Sequence, residues 1–350
     1  MPVLEPADNF VGNVLEQGAL DLAFAQRVVC NTCTRRLIRA CYKVVHNWER
    51  FLRLPEKQDL AMTGEAPSDY VLATGEAAAE RLRLLNDIFG LGTHRLLRTA
   101  GLTPGMQAAE VGCGNGLISI WIAERVGSDG SVTAVDSSSE QLQVAKRNAE
   151  SAQIRNVSFH HAGAYETGLP TESFDLVFSR FLMCHLAEPA RALVEMRRLL
   201  KPGGVLVCED HDDGGIFTEP PTRAYRRLVE ISEAVNRAHG LDSYIGLKLP
   251  RLIQKAGFAN PDVQVDQIAV LRGPAKRFWE LTLREAGAAI LAARASSPDE
   301  LEAIYQEMQS IAEDDSILLM LARVTQVWAR KQKVSNPEIA GCEEGRQGEP

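Results

Sequence analysis

Between Ala108 and Asp210 short apolar runs alternate with stretches whose apolar positions recur at helical spacing. MQAAEVG reads as a short buried strand and LISIWIAERVG as the helix behind it. SVTAVD follows as a strand ending in an acid, then EQLQVAKRNAESAQ as a helix. VSFHHAG predicts a third strand and FDLVFSR a fourth. ARALVEMRRLL predicts a helix, and GVLVCED a fifth strand opened by the turn KPGG. Strands alternating with helices in this way imply right-handed crossovers and a parallel sheet covered on both faces. Ligands of such sheets bind at the carboxyl ends of the strands.

The flanks are mostly helical. Upstream, GEAAAERLRLLNDIFGLGTHRLLRTAGL predicts two amphipathic helices broken at Gly90–Gly92. Downstream, LPRLIQKAGF is a helix stopped by Gly257, and DVQVDQIAVL alternates like a strand. A long helical stretch, about 274–312, is expected to form a lid over the strand ends before LARVTQVWARK returns as the last strand. The expected fold class is α/β: a Rossmann-like, doubly wound, seven-stranded, mostly parallel sheet with a helical N-terminal extension and a helical lid. The expected domains are 1–66 for the extension, 67–332 for the main domain and 333–350 for a polar, disordered tail.

The glycine loop EVGCGNG narrows the ligand. The dinucleotide fingerprint G-x-G-x-x-G, counted from Gly112, needs a third glycine where Leu117 stands. No Gly-Lys-Ser/Thr follows, so it is not a P-loop either. Gly112 and Gly114 can take positive φ and admit a ligand to the backbone. Asp136, at the end of the second strand, can accept both hydroxyls of a ribose. Together these features specify a nucleoside without a pyrophosphate.

AAEVGCGNG, TAVDSSSEQL, FDLVFSRFLMCHL and LLKPGGVLVCED resemble, in order and spacing, the signature motifs of class I S-adenosylmethionine-dependent methyltransferases. LPRLIQKAGF before the penultimate strand fits the branch acting on small molecules and quinone-like substrates. The resemblance covers about residues 70–332 and implies S-adenosylmethionine as cofactor and a small-molecule methyl acceptor. It places Gly112, Gly114 and Gly116 against the methionyl and ribose portion, with Glu110 near the methionyl amine. Asp136 would bind the ribose hydroxyls, and Ser137 and Gln141 would edge the adenine. The family usually has Gly-Asp-Ala after the third strand, whose Asp bonds the adenine amine. Here Gly163, Ala164 and Tyr165 stand there, so that contact is missing unless Glu166 or a backbone carbonyl replaces it. Ser179 and Arg180 lie where cofactor meets acceptor, and Arg81 is expected to pair with the cofactor carboxylate.

Methyl transfer needs a general base only when the nucleophile carries a proton. The candidates are His185, after the fourth strand, and Asp210 and His211, within the run Glu209–Asp213 after the fifth. Such a run is ordinarily a solvated loop; Asp210 and His211 are the members expected to face the pocket, and no metal is assigned to it. Tyr70 and His94 upstream would close over the cofactor, while Tyr225, His239 and Tyr244 would form substrate walls.

Charge and composition exclude several classes. The net charge is −8 over 350 residues, which argues against general binding to nucleic acid or anionic membrane. No apolar run approaches the roughly 20 residues of a membrane span, and the start lacks the basic region of a signal peptide. Seven scattered cysteines read as reduced thiols. The expectation is a soluble cytoplasmic protein. Cys30, Cys33, Cys41 and His46 fall on a predicted helix, which lacks the turn a zinc site needs. Residues 1–61 suggest a dimerisation element, hence a homodimer, a regulatory cap, or an upstream artefact before Met62. A nucleotide-dependent oxidoreductase and a non-catalytic cofactor-binding scaffold stay open as alternatives.

Overall fold

The computed structural model describes residue 72 and residues 78–333. The N-terminal extension, Tyr70, the four metal-type residues Cys30, Cys33, Cys41 and His46, and the tail beyond residue 333 lie outside the described residues.

Helix α1, Ala79–Thr99, is continuous through Gly90 and Gly92, where the sequence predicts a break. Its buried positions Phe89, Gly92, Thr93, Leu96 and Leu97 recur at one helical face. Gly92 serves close approach: a Cβ there would stand 2.3 Å from Asp266 Oδ2. The alternating block follows as β1 (Gln107–Val111), α2 (Leu117–Val126), β2 (Ser131–Asp136), α3 (Ser139–Ser151), β3 (Val157–His161) and β4 (Phe174–Arg180). Next come α4 (Pro189–Leu199) and β5 (Leu200–Asp212). KPGG, predicted as a turn, lies within β5, and the ladder with β4 shifts register between Phe174 and Leu176.

The remaining elements are β6 (Phe217–Glu219), α5 (Arg223–Ala238), α6 (Ile245–Lys255), β7 (Asp262–Asp266), β8 (Ala269–Val270), α7 (Phe278–Glu285), α8 (Gly287–Ala292), α9 (Pro298–Glu313), β9 (Leu318–Met320) and β10 (Arg323–Arg330). The stretch expected as one long helical lid is thus three helices after a short 3-10 turn, Pro274–Arg277. Ser297 caps α9 by accepting from Glu300 N at 3.2 Å, with Pro298 in the first turn.

The main sheet has the order β3-β2-β1-β4-β5-β10-β7. β1 pairs parallel with β2 and β4, and β10 runs antiparallel to both β5 and β7. Period-2 alternation splits the strands between two cores. Leu176, Phe178, Val205 and Val207 pack with Leu96, Ile118 and Ile122 on the face of α1 and α2. Val177, Leu206 and Cys208 pack with Leu193, Met196, Ile245 and Leu249 on the face of α4 and α6. A third core joins Phe89 to α5, α7, α9 and the small sheet β6-β9-β8. Lys276 is fully buried there, its Nζ donating to the carbonyls of Asp314 and Ile317.

Candidate functional site

The loop between β1 and α2 is fixed to the neighbouring strand by backbone bonds. Gly112 N and Cys113 N both donate to Val135 O, at 2.8 and 2.9 Å. Gly112, Gly114 and Gly116 all have positive φ, at 80°, 52° and 74°. At Gly114 an added Cβ would meet nothing within 4 Å, so the backbone there is open to a ligand. At Gly116 the same atom would lie 2.8 Å from Ala145 Cβ, on α3. Close helix packing, which the dinucleotide fingerprint assigns to its third glycine, is achieved here one residue before Leu117.

Asp136 closes β2 beside this loop. Its Oδ2 accepts from Gly114 N at 2.8 Å and its Oδ1 from Ser138 N at 2.9 Å. Burial raises its pKa, opposed by these backbone donors. Ser137 is exposed, and its carbonyl meets His161 Nε2 at 2.8 Å. Gln141, in the first turn of α3, is buried, and its Oε1 has no partner among the described residues. At the end of β3, Gly163 and Glu166 form an isolated bridge around Ala164 and Tyr165. The Tyr165 hydroxyl accepts from Glu188 N at 3.0 Å, which commits it to the start of α4. Glu166 is exposed.

Beneath the loop lies a buried charged network. The Glu110 carboxylate accepts from Ser119 Oγ, and burial pushes its pKa up to about 7. Arg180 donates to Thr93 Oγ1 at 3.2 Å and to Asn86 Oδ1 at 3.5 Å. Burial lowers its pKa, with Glu209 and Glu110 opposing. Glu209 accepts from Thr93 Oγ1 and, at 2.6 Å, from Gln326 Nε2. Sequence reasoning named Glu110, Arg180 and the Glu209 run, but missed Asn86, Thr93, Ser119 and Gln326. Their signal was a polar residue on an otherwise apolar face. Ser179, also buried, donates to Cys208 Sγ at 3.4 Å, between β4 and β5.

The run Glu209–Asp213 is not the solvated loop its composition suggests. Glu209 to Asp212 belong to β5, and Glu209, Asp210, Asp212 and Asp213 are all buried. Each acid has partners that make burial tolerable. Asp212 takes Arg323 in a fork, both contacts at 2.8 Å. Asp213 accepts from Ser232 Oγ at 2.6 Å. Asp210 accepts from Cys184 N at 3.2 Å and His211 N at 2.9 Å, and its Oδ1 is 3.3 Å from His211 Nδ1. His211 Nε2 lies 3.5 Å from Asp213. Burial works against the His211 charge, but Asp210, Asp213 and Asp212 outweigh it and push the pKa up to about 9. For His185 burial dominates and lowers the pKa to about 4. Cys184, Asp210 and His211 bring donor atoms within 4.8 Å of one another. Burial and Asp210 push the Cys184 thiol well above its ordinary range.

His185 and His211 line a cavity of about 140 Å³ that also touches Phe89, Phe181, Phe278 and Trp279. Arg81 lines this cavity rather than the glycine loop, and its Nε donates to Glu285 at 2.8 Å. The other aromatic candidates have partners within the fold. His94 stacks on Trp121 at 4.0 Å, and Tyr225 donates to Lys276 O at 3.4 Å. His239 Nδ1 meets Val235 O at 2.9 Å, and the Tyr244 hydroxyl bonds Glu233.

A doubly wound sheet with this strand order, a glycine loop after β1 and an acid after β2 defines a nucleoside-binding α/β fold. Residues 109–208 match the family model described as a methyltransferase domain. The demethylmenaquinone methyltransferase of Listeria monocytogenes (serotype 4b, strain CLIP80459) is 36% identical over 184 residues, covering 48% of this chain and 74% of that protein. The demethylmenaquinone methyltransferase of Staphylococcus aureus (strain MRSA252) is 37% identical over 129 residues, or 35% of this chain. The chain spans 53% of that relative's length. The chain belongs to the class I S-adenosylmethionine-dependent methyltransferases. Among the described residues no helix is long and apolar enough to cross a membrane.

Proposed function

We propose that this protein transfers a methyl group from S-adenosylmethionine to a small molecule seated in the cavity at the carboxyl end of the sheet. The observation that carries the reading is the pairing of an open, positive-φ glycine cradle at Gly114 with the Asp136 carboxylate. Gln141, in the first turn of the helix that follows Asp136, would serve a nucleoside edge with either end of its amide. When bound, the cofactor supplies an electrophilic methyl on a sulfonium.

Asp136 would hold the ribose hydroxyls, and the backbone of Gly112 to Gly116 would carry the methionyl portion. Glu110, with a carboxyl near neutrality in its pKa, would ionise as it gains a cationic neighbour. Arg180, held by Thr93 and Asn86 and attracted by Glu209 and Glu110, would orient groups beside the cofactor. Ala164 offers no carboxylate to an adenine, so that ring relies on Gln141 and backbone groups.

On the acceptor side the apolar lid excludes water and orients the nucleophile. In well-oriented cases such positioning is worth about 7–11 kcal/mol of barrier. His185 is neutral at pH 7 and can take a proton from the acceptor without first losing one. His211, held cationic with its Nδ1 facing Asp210 and its Nε2 facing Asp213, would stabilise negative charge developing on the acceptor through its own charge. The direct test is incubation with methyl-labelled S-adenosylmethionine and a panel of small aromatic and aliphatic acceptors, read by mass spectrometry. Transfer of the label supports the reading; binding of a nicotinamide dinucleotide with no binding of S-adenosylhomocysteine overturns it.

A further inference from the structure

Cys184, Asp210 and His211 each bring one donor atom within 4.8 Å of the other two. Cys184 belongs to the 3-10 turn Met183–His185 after β4, and the other two to the end of β5, the strand paired with β4. Asp210 ties the set together, since its Oδ2 accepts from Cys184 N at 3.2 Å and its Oδ1 from His211 N at 2.9 Å. Its Oδ1 also lies 3.3 Å from His211 Nδ1. Two ligands of a tetrahedral ion with bonds of about 2.0–2.1 Å stand about 3.3–3.4 Å apart, so this oxygen and nitrogen already have the spacing of a shared ion.

A salt bridge has that spacing too. The other imidazole nitrogen and the thiol separate the two readings. His211 Nε2 lies 3.5 Å from Asp213 Oδ1, and Asp213 accepts from Ser232 Oγ at 2.6 Å. A carboxylate behind the second ring nitrogen, itself held by a hydrogen bond, is the arrangement that orients a metal-ligating histidine. The thiol beside Asp210 becomes a strong ligand once a cation stands between them. Donor chemistry then selects the ion. Thiolate and imidazole with one carboxylate suit zinc, whereas magnesium and calcium take oxygen ligands. Three protein ligands leave one position of a four-coordinate ion open. Cys184, His211 and Asp213 line the cavity of about 140 Å³, which is both the way in for the ion and the space its open position faces.

We propose that Cys184, Asp210 and His211 bind a zinc-class cation through Sγ, a carboxylate oxygen and Nδ1, with Asp213 holding Nε2. Binding is an electroneutral exchange: the thiol and the imidazolium each release a proton and one dication enters. Without the ion, His211 keeps its proton and carries the charge itself. With the ion, an oxygen or sulfur atom of the acceptor completes the tetrahedron. That last step rests on the methyl-transfer reading; the binding of the ion does not.

The test uses the full chain, reduced and stripped with a chelator, and titrates it with cobalt as a coloured stand-in for zinc. The expected result is a thiolate-to-cobalt absorption together with the strong visible bands of a tetrahedral site. Zinc is expected to bleach both, and magnesium to leave them. Cys184→Ser is expected to lose the thiolate band, while the double variant Cys30→Ser/Cys33→Ser keeps it. No band in the native protein, or a band that survives Cys184→Ser, overturns the inference. Asp213→Asn keeps all three ligands and is expected to weaken zinc binding roughly tenfold to a hundredfold. Unchanged zinc affinity in that variant overturns the inference as well, and keeps the test decisive if Cys184→Ser fails to fold. S-adenosylhomocysteine binding is measured on the same preparation. Its absence counts against the methyl-transfer reading, whereas cofactor binding without cobalt bands counts only against the metal site.

Discussion

His185 and His211 face one cavity, yet at neutral pH they carry different charges. Burial holds His185 near a pKa of about 4, while three carboxylates hold His211 near about 9. If both act as proposed, kcat/KM is level from about pH 5 to pH 8 and falls with a midpoint near 9, where His211 loses its proton. His211→Asn should abolish that alkaline limb; a limb that persists in the variant contradicts the role. Stability follows the same group. Its folded-state value lies above the unfolded 6.5, so its contribution is complete below pH 6.5 and is lost as pH rises through about 9. Denaturant titrations of the native protein and His211→Asn should therefore differ most below pH 6.5 and converge above 9. The residue types at this site were legible in the sequence, but their environment was not. Five charged residues in succession look like a solvated run, and only the β5–β10 ladder with Arg323 and the contact with Ser232 reveal how they are buried. The role of Arg81 shows the same limit, since its partner Glu285 is 204 positions away.

At the scale of elements, hydrophobic periodicity located the strands and helices of the alternating block, because each buries one patterned face. Glycines were harder to interpret. Gly90 and Gly92 suggested a break, but α1 runs through them and uses Gly92 to approach Asp266. KPGG suggested a turn, but it is absorbed into β5 at a register shift. Gly114 and Gly116 can be separated by experiment. Both have positive φ, which costs a residue with a Cβ roughly 1–2 kcal/mol. Only Gly116 adds a clash, with Ala145. Gly116→Ala should lower Tm by at least about 3 °C and by more than Gly114→Ala does. Equal shifts in calorimetric melting would mean that α2 and α3 are not packed through Gly116.

For the molecule as a whole, the order β3-β2-β1-β4-β5-β10-β7 places the loop after β1, the acid after β2 and the histidines after β4 and in β5 at one edge of the sheet. That convergence was foreseeable from alternating strands and helices, since parallel strands align their carboxyl ends. The division of the lid into α7, α8 and α9 was not, because its helices are set by packing against α1 and α5 rather than by local breakers alone. In the proposed function, Asp136 and the glycine loop hold the nucleoside of S-adenosylmethionine. Calorimetry with S-adenosylhomocysteine on the native protein and on Asp136→Ala tests it most directly. The prediction is clear binding by the native protein and a loss of roughly tenfold to a hundredfold in the variant, as expected for charge-assisted hydrogen bonds. An unchanged dissociation constant in Asp136→Ala, or no binding to the native protein, would contradict it.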